Sequence, residues 1–239
     1  MSNKSHRSST PSWAKDGYQN LTDKNARDRR LWVIFGVAVA VVLVVVAVIA
    51  VVAGGSKDTT DTGTTTIQET RAVDVMTGPE LPAYDSSAAA DEAVGKDAPQ
   101  ISGSTLDGSF ISTSPSNGNY KMIVFVAHWC PHCQREVPRL VEWAASGEVP
   151  DNLDVMAVST AIDKTRGNYP PSAWLAKEAW PFPVMADDAS GTAATTYGLT
   201  SFPYFVVVSP EGKVLVRNSG EIEITELNDM LSNVMGSTN

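Results

Sequence analysis

The sequence predicts an α/β domain with one central mixed sheet and helices on both faces, carried behind a single N-terminal transmembrane helix. Three observations lead to this. Leu31 to Ala53 is a 23-residue run without charge or proline, about 34 Å long as a helix and therefore long enough to cross a bilayer. Further along, short continuous β-branched and aromatic runs alternate with segments whose apolar residues recur at helical spacing. The charge also changes sign across the apolar run. Residues 1–30 hold seven Lys and Arg against three Asp, a net of +4, whereas residues 54–239 hold the other eleven basic residues against 24 acidic ones, a net of −13.

The basic cluster Arg27, Arg29 and Arg30 beside the run puts the N-terminus on the cytoplasmic side and the larger part of the chain outside, by the positive-inside rule. The expected location is thus the cell membrane, crossed once. Residues 1–30 are polar and Ser-rich without apolar period, and read as a disordered cytoplasmic tail. Val51-Val52-Ala53 before Gly54 could serve as a signal-peptide cleavage site, but an apolar region of 23 residues behind so long a charged lead favours a retained anchor at 31–53. A wholly cytosolic enzyme and a polytopic transporter are excluded. An acidic exported region without a basic stripe speaks against nucleic acid as a partner.

Residues 54–93 are rich in Thr, Gly, Asp and Ala and read as a flexible linker, with an end-to-end distance on the order of 35 Å. Val73 to Tyr84 has enough apolar character to add a strand at the domain's edge, and Thr59 to Thr66 could carry O-linked sugars. The domain proper is expected over 94–239. Met122 to Ala127 and Leu153 to Ser159 read as strands covered on both faces. After Cys133, the residues Val137, Leu140, Val141 and Ala144 repeat at i, i+3, i+4 and i+7, marking an amphipathic helix. Ser172 to Ala179 and Ser190 to Tyr197 read as short helices around a brief strand at Pro183 to Ala186. Tyr204 to Val208 and Lys213 to Arg217 form a hairpin about Ser209-Pro210-Glu211-Gly212. Ile224, Leu227, Leu231 and Val234 mark a terminal helix. Trp143, Trp174 and Trp180 read as packing residues, and Lys164 to Pro171 as a surface loop.

The chain has two cysteines, three apart in His128-Trp129-Cys130-Pro131-His132-Cys133, where a strand meets a helix. At the helix N-terminus, unpaired backbone N–H groups and the macrodipole favour an anion, so Cys130 is the expected thiolate nucleophile. Cys133, one turn on and on the apolar stripe, is the shielded resolving thiol, and the pair can run thiol–disulfide exchange. Pro131 suits the first helical turn because it has no N–H to lose there. His132 can place partial positive charge beside the Cys130 sulfur. A structural disulfide closing so short a gap would constrain little chain. A metal site would have only His128 and His132 nearby, with no second CxxC and no distal histidine. Glu136, three residues past Cys133, reads either as a partly buried carboxylate that trades a proton with that thiol or as a solvated helix charge.

These residues resemble the thioredoxin superfamily, and more closely its membrane-anchored TlpA/ResA-like branch, over Val94 to Met235. The resemblance is carried by Gly95-Lys96-Asp97-Ala98-Pro99, Leu106-Asp107-Gly108, Trp129-Cys130-x-x-Cys133, Glu136 with Pro138, and Tyr197 through Pro203. It implies a thioredoxin-like fold and a membrane-tethered, extracytoplasmic thiol–disulfide oxidoreductase. No cofactor or metal is implied beyond the redox-active Cys130–Cys133 disulfide. Its partners would be exported protein thiols or disulfides and a membrane redox partner that recycles the pair. The resemblance further implies that Pro203 is a cis-proline facing the cysteines, with Phe202 exposing its backbone to substrate, and that Pro138 is a kink proline. Trp129 shields the site. Val124 stands where classical thioredoxins carry a buried aspartate, which leaves Glu136 as the proton-handling group. The Pro131-His132 dipeptide resembles that of the oxidant DsbA, whereas Glu136, Pro138 and the anchor resemble reducing branches, so the two cues to electron flow oppose each other. A copper or other metal chaperone and a non-catalytic thioredoxin-like interaction module are the alternative readings.

Overall fold

Strand β4 (Tyr120–Val126) is buried along its whole length. Its side chains alternate between two cores: Tyr120, Met122, Val124 and Val126 enter one, Ile123 and Phe125 the other. This is why the segment reads as an unbroken apolar run rather than as an alternating one. The computed structural model describes residues 66–236, which lie within one compact unit. The tail expected at 1–30, the transmembrane helix at 31–53 and the first part of the linker lie outside the described residues. Among the described residues no helix is long and apolar enough to cross a membrane.

Around β4 the main sheet has the order β6-β5-β4-β7-β8. β5 (Leu153–Ser159) and β6 (Val184–Ala186) continue in parallel on one side; β7 (Tyr204–Val208) and β8 (Val214–Ser219) are antiparallel on the other. Helices α1 (Pro131–Ser146), α2 (Pro171–Lys177) and α4 (Ile224–Gly236) supply Val137, Leu140, Trp143, Trp174, Leu227 and Leu231 to one face. The opposite face takes Ala193 and Ala194 of α3 (Thr192–Thr196) and Ile101 of β2 (Gln100–Ser104). A second sheet, β1-β2-β3, joins β1 (Asp74–Thr77) and β3 (Phe110–Ser112) to β2. The expected mixed sheet with helices on both faces is therefore present. The buried stripe of α1 runs through Cys133, Glu136, Val137, Leu140 and Trp143, with Trp143 taking the place the periodicity gave to Val141 and Ala144.

The linker expectation does not hold over residues 66–93, which belong to the domain. β1, the edge strand anticipated between Val73 and Tyr84, pairs antiparallel with β2. Leu81 and Ala93 are buried, and the Leu81 and Tyr84 N–H groups donate to the carbonyls of Thr196 and Gly198, each at 2.9 Å. Arg217, buried on β8, donates its Nε to Asp91 at 2.8 Å and an Nη1 proton to the Pro82 carbonyl at 2.8 Å. A few anchors spaced through polar sequence thus dock a segment whose average composition cannot fold by itself.

This docking depends on Gly198, which has φ +71°; an added Cβ would collide with the Pro82 carbonyl and lie 3.0 Å from that of Leu81. Gly198→Ala is therefore expected to lower the unfolding free energy by about 2 kcal/mol or more, read by urea denaturation. A loss below about 0.5 kcal/mol, the range of an ordinary surface change, would show that residues 81–82 are not held against this turn.

Candidate active site

The end of β4 and the start of α1 place the two thiols differently. The Cys130 N–H donates to the Ala127 carbonyl at 3.0 Å, closing the turn out of the strand, and the Gln134 N–H returns to the Cys130 carbonyl at 3.1 Å as the helix begins. Cys130 is the helix N-cap, with extended backbone, and exposed Pro131 follows in the first turn. Its Sγ therefore sits where helix N–H groups lack intrahelical partners. Both cysteines are free thiols, Cys130 6% and Cys133 0% exposed. Burial pushes the Cys133 thiol pKa well above its ordinary value. Pro138 lies inside α1, which continues through it to Ser146.

Trp129, next to Cys130, is half-buried. Its indole N–H donates to the Ala161 carbonyl at 2.7 Å, its ring meets Phe202 edge-on at 6.0 Å, and the Arg166 guanidinium lies 3.7 Å over its face. The Phe202–Pro203 peptide is cis and Pro203 is buried. Trp129 and Phe202 pack on the same apolar cluster as Cys130 and Cys133, so the fold gathers Trp129, Cys130, Cys133, Phe202 and Pro203 into one site.

Glu136 is 0% exposed, which excludes the solvated-charge reading. Its Oε2 accepts from Arg139 Nη1 and from the Ile222 N–H, both at 3.3 Å, while Oε1 has no hydrogen-bond partner among the described residues. Burial outweighs these two contacts and pushes its pKa up to about 7. Val124, on β4, is fully buried as well.

His132 is not devoted to the sulfur: its Nδ1 lies 2.7 Å from Glu221 Oε1. Glu221, 89 residues away in sequence, was not anticipated, and nothing local in the sequence marks it. His128 was read only as a weak metal candidate. It is buried, its Nδ1 is 2.8 Å from the Gly167 carbonyl, and its Nε2 receives the Asp163 N–H at 3.2 Å. With both ring nitrogens engaged and Tyr169 edge-on at 6.0 Å, His128 ties the loop 163–170 to the site. The segment Lys164 to Pro171 is, as expected, a surface loop, exposed over 164–169 and held to His128 and, through Arg166, to Trp129. Among the described residues no group of three or more His, Cys, Asp and Glu side chains is placed to hold a metal ion.

The sequence profile of the AhpC/TSA family matches residues 94–217, just over half of the chain. The chain belongs to the AhpC/TSA family. A thiol:disulfide interchange protein DsbE homolog of Paracoccus denitrificans is 28% identical over 131 residues, 54% of this chain and 68% of that protein. The thiol-disulfide oxidoreductase ResA of Bacillus thuringiensis is 25% identical over 141 residues, 59% of this chain and 78% of that one. A crystal structure of a Chlorobium tepidum protein assigned as DsbE superposes with a TM-score of 0.51 at 23% identity, covering 60% of this chain and 98% of that one, a likeness of fold. The expectations of a thioredoxin-like fold and of a thiol–disulfide oxidoreductase hold.

The buried carboxyl gives a stability test. Its folded pKa of about 7 lies above the ordinary 4.5, so its contribution to stability is complete below about pH 4.5 and is lost as pH rises through about 7. Glu136→Gln should flatten the stability profile across that window and leave the variant more stable than wild type at pH 8, by up to about 3 kcal/mol. Parallel wild-type and variant curves in denaturant titrations from pH 4 to 8 would contradict this placement of the carboxyl.

Proposed function

We propose that the chain is a membrane-tethered, extracytoplasmic thiol–disulfide oxidoreductase that works through Cys130-Pro131-His132-Cys133 and needs no bound cofactor. The observation that carries the reading is the unequal setting of two thiols one helical turn apart, Cys130 at the helix N-cap and Cys133 fully buried with its thiol pKa raised. In the reducing direction the Cys130 thiolate attacks a substrate disulfide; the Cys130–substrate S–S bond forms, the substrate S–S bond breaks, and one substrate thiolate leaves. Cys133 then gives up its proton and attacks Cys130 Sγ. The Cys130–Cys133 bond forms, the mixed disulfide breaks, and the second substrate thiolate departs. Two electrons pass from the pair to the substrate, and the reverse sequence oxidises a dithiol.

The free Oε1 of Glu136, one turn along α1 from Cys133, supplies a base for the resolving step. A carboxyl titrating near 7 can take a proton from a thiol and return it. Trp129, Phe202 and Pro203 line the approach to Cys130, where an extended substrate segment would lie. The tether is supported by the 23-residue apolar run and the change of charge across it. Outside the cytoplasm the pair would act on exported protein thiols or disulfides and would be recycled by a redox partner at the membrane.

Cys130→Ser is expected to abolish insulin reduction. Cys133→Ser should accumulate mixed disulfides that non-reducing electrophoresis shows and dithiothreitol releases. Undiminished insulin reduction by either variant would exclude the two-thiol mechanism.

A further inference from the structure

The cations beside the cysteine pair converge on one carboxylate. Glu221 Oε1 is 2.7 Å from His132 Nδ1 and 2.6 Å from Arg135 Nη2, Arg135 Nε reaches both carboxylate oxygens at 3.1 Å, and Arg139 Nη2 is 3.4 Å from Oε2. His132 Nδ1 also lies 2.9 Å from Arg135 Nη2, so imidazole, guanidinium and carboxylate form one compact cluster. Hydrogen bonds from Arg135 and His132, with the charge of Arg135 and Arg139, hold the carboxyl down to about 2. This placement is fixed by the backbone on either side of Glu221. The Gly220 N–H donates to the Pro203 carbonyl at 2.9 Å, and the Ile222 N–H to Glu136 at 3.3 Å. Glu221 is thus built into the site between the cis-proline turn and the buried carboxyl.

Ionised Cys130 gives the reduced pair a negative charge that the oxidised pair cannot have, so a nearby cation favours the reduced form and raises the reduction potential. We propose that Glu221 is a positioning residue that sets the poise of the Cys130–Cys133 couple: by pairing Arg135 and Arg139 and drawing His132 toward itself, it withholds positive charge from the Cys130 thiolate and moves the pair toward the reducing side. The inference rests on the exchange function proposed above. It accounts for an oxidant-like Pro131-His132 dipeptide on a scaffold resembling reductants, because a carboxylate lies 2.7 Å from the histidine Nδ1. Other charged groups on the elements packed here are Glu136 on α1, Glu223, whose carboxylate pairs with Arg139 at 3.3 Å, and Asp163 and Arg166 on the loop held by His128.

The test is the equilibrium of full-length protein with glutathione at pH 8, in which protein disulfide plus two glutathione thiols gives protein dithiol plus glutathione disulfide. This pH lies above the value of about 7 at which Glu136 titrates, and a His132→Gln background removes the imidazole from the balance. In that background Glu221→Gln should raise the equilibrium constant about three- to tenfold, a tenfold rise being about 30 mV for a two-electron couple. Arg135→Gln should lower it, and Glu223→Gln, whose carboxylate is 70% exposed, should leave it within about twofold. Half-exposed side chains and salt keep these effects modest. A purely structural Glu221 would change the melting temperature and leave the constant where it was. An unchanged or lowered constant in Glu221→Gln, or an equal shift in Glu223→Gln, overturns the proposal. A wild-type protein whose cysteines show no equilibrium with glutathione overturns the exchange function as well, which separates the two failures.

Discussion

Met122, Val124 and Val126 point into one core and Ile123 and Phe125 into the other, and the position of every reactive group follows from this two-sided burial of β4. Each such side chain contributes roughly 1.5–3 kcal/mol when removed from water, so the register of the strand, and hence the point where it ends, is strongly held. The chain leaves the sheet at Ala127, turns over the hydrogen bond from Cys130 to Ala127, and begins α1 at Pro131. The stripe that buries Val137, Leu140 and Trp143 also buries Cys133 and Glu136. One thiol is thereby left at the helix entrance and the other is drawn into the core. The difference in setting between the two thiols is a consequence of packing, with the chemistry of the two side chains identical.

Two carboxylates flank this helix and have opposite fates. Glu136 lies in the core with one oxygen unpartnered, and burial raises its pKa to about 7. Glu221 lies among His132, Arg135 and Arg139, and the hydrogen bonds from Arg135 and His132, with the charge of the two arginines, lower its pKa to about 2. Arg139 touches both, so the buried carboxyl and the surface carboxylate share a guanidinium. The Ile222 and Gly220 N–H groups, donating to Glu136 and to the Pro203 carbonyl, join the same short segment to α1 and to the cis-proline turn. The approach to α4 is in this way part of the active site.

How much of this was legible in the sequence follows from the range of the interactions. β5 and β7 match their expected limits residue for residue, because a strand buried on both faces announces itself as a continuous apolar run. The cysteine pair and its helix were legible because they are local. The docking of residues 66–93 was not, since Leu81, Asp91 and Ala93 are single anchors in a Thr-, Ala- and Asp-rich stretch, and their partners Thr196 and Arg217 lie more than a hundred residues on. Glu221 and His128 were missed for the same reason. Their roles arise only when packing brings together residues 89 and 35 positions apart.

The central claim is that the fold alone makes Cys130 the reactive thiol and Cys133 the shielded one. Fully reduced protein treated briefly with iodoacetamide at pH 7, then digested and quantified by mass spectrometry, reads both thiols in one sample. Cys130 is expected to be modified at least about tenfold faster than Cys133, as the thiolate is the reacting species and burial disfavours it at Cys133. Equal rates, or faster modification of Cys133, would contradict the account.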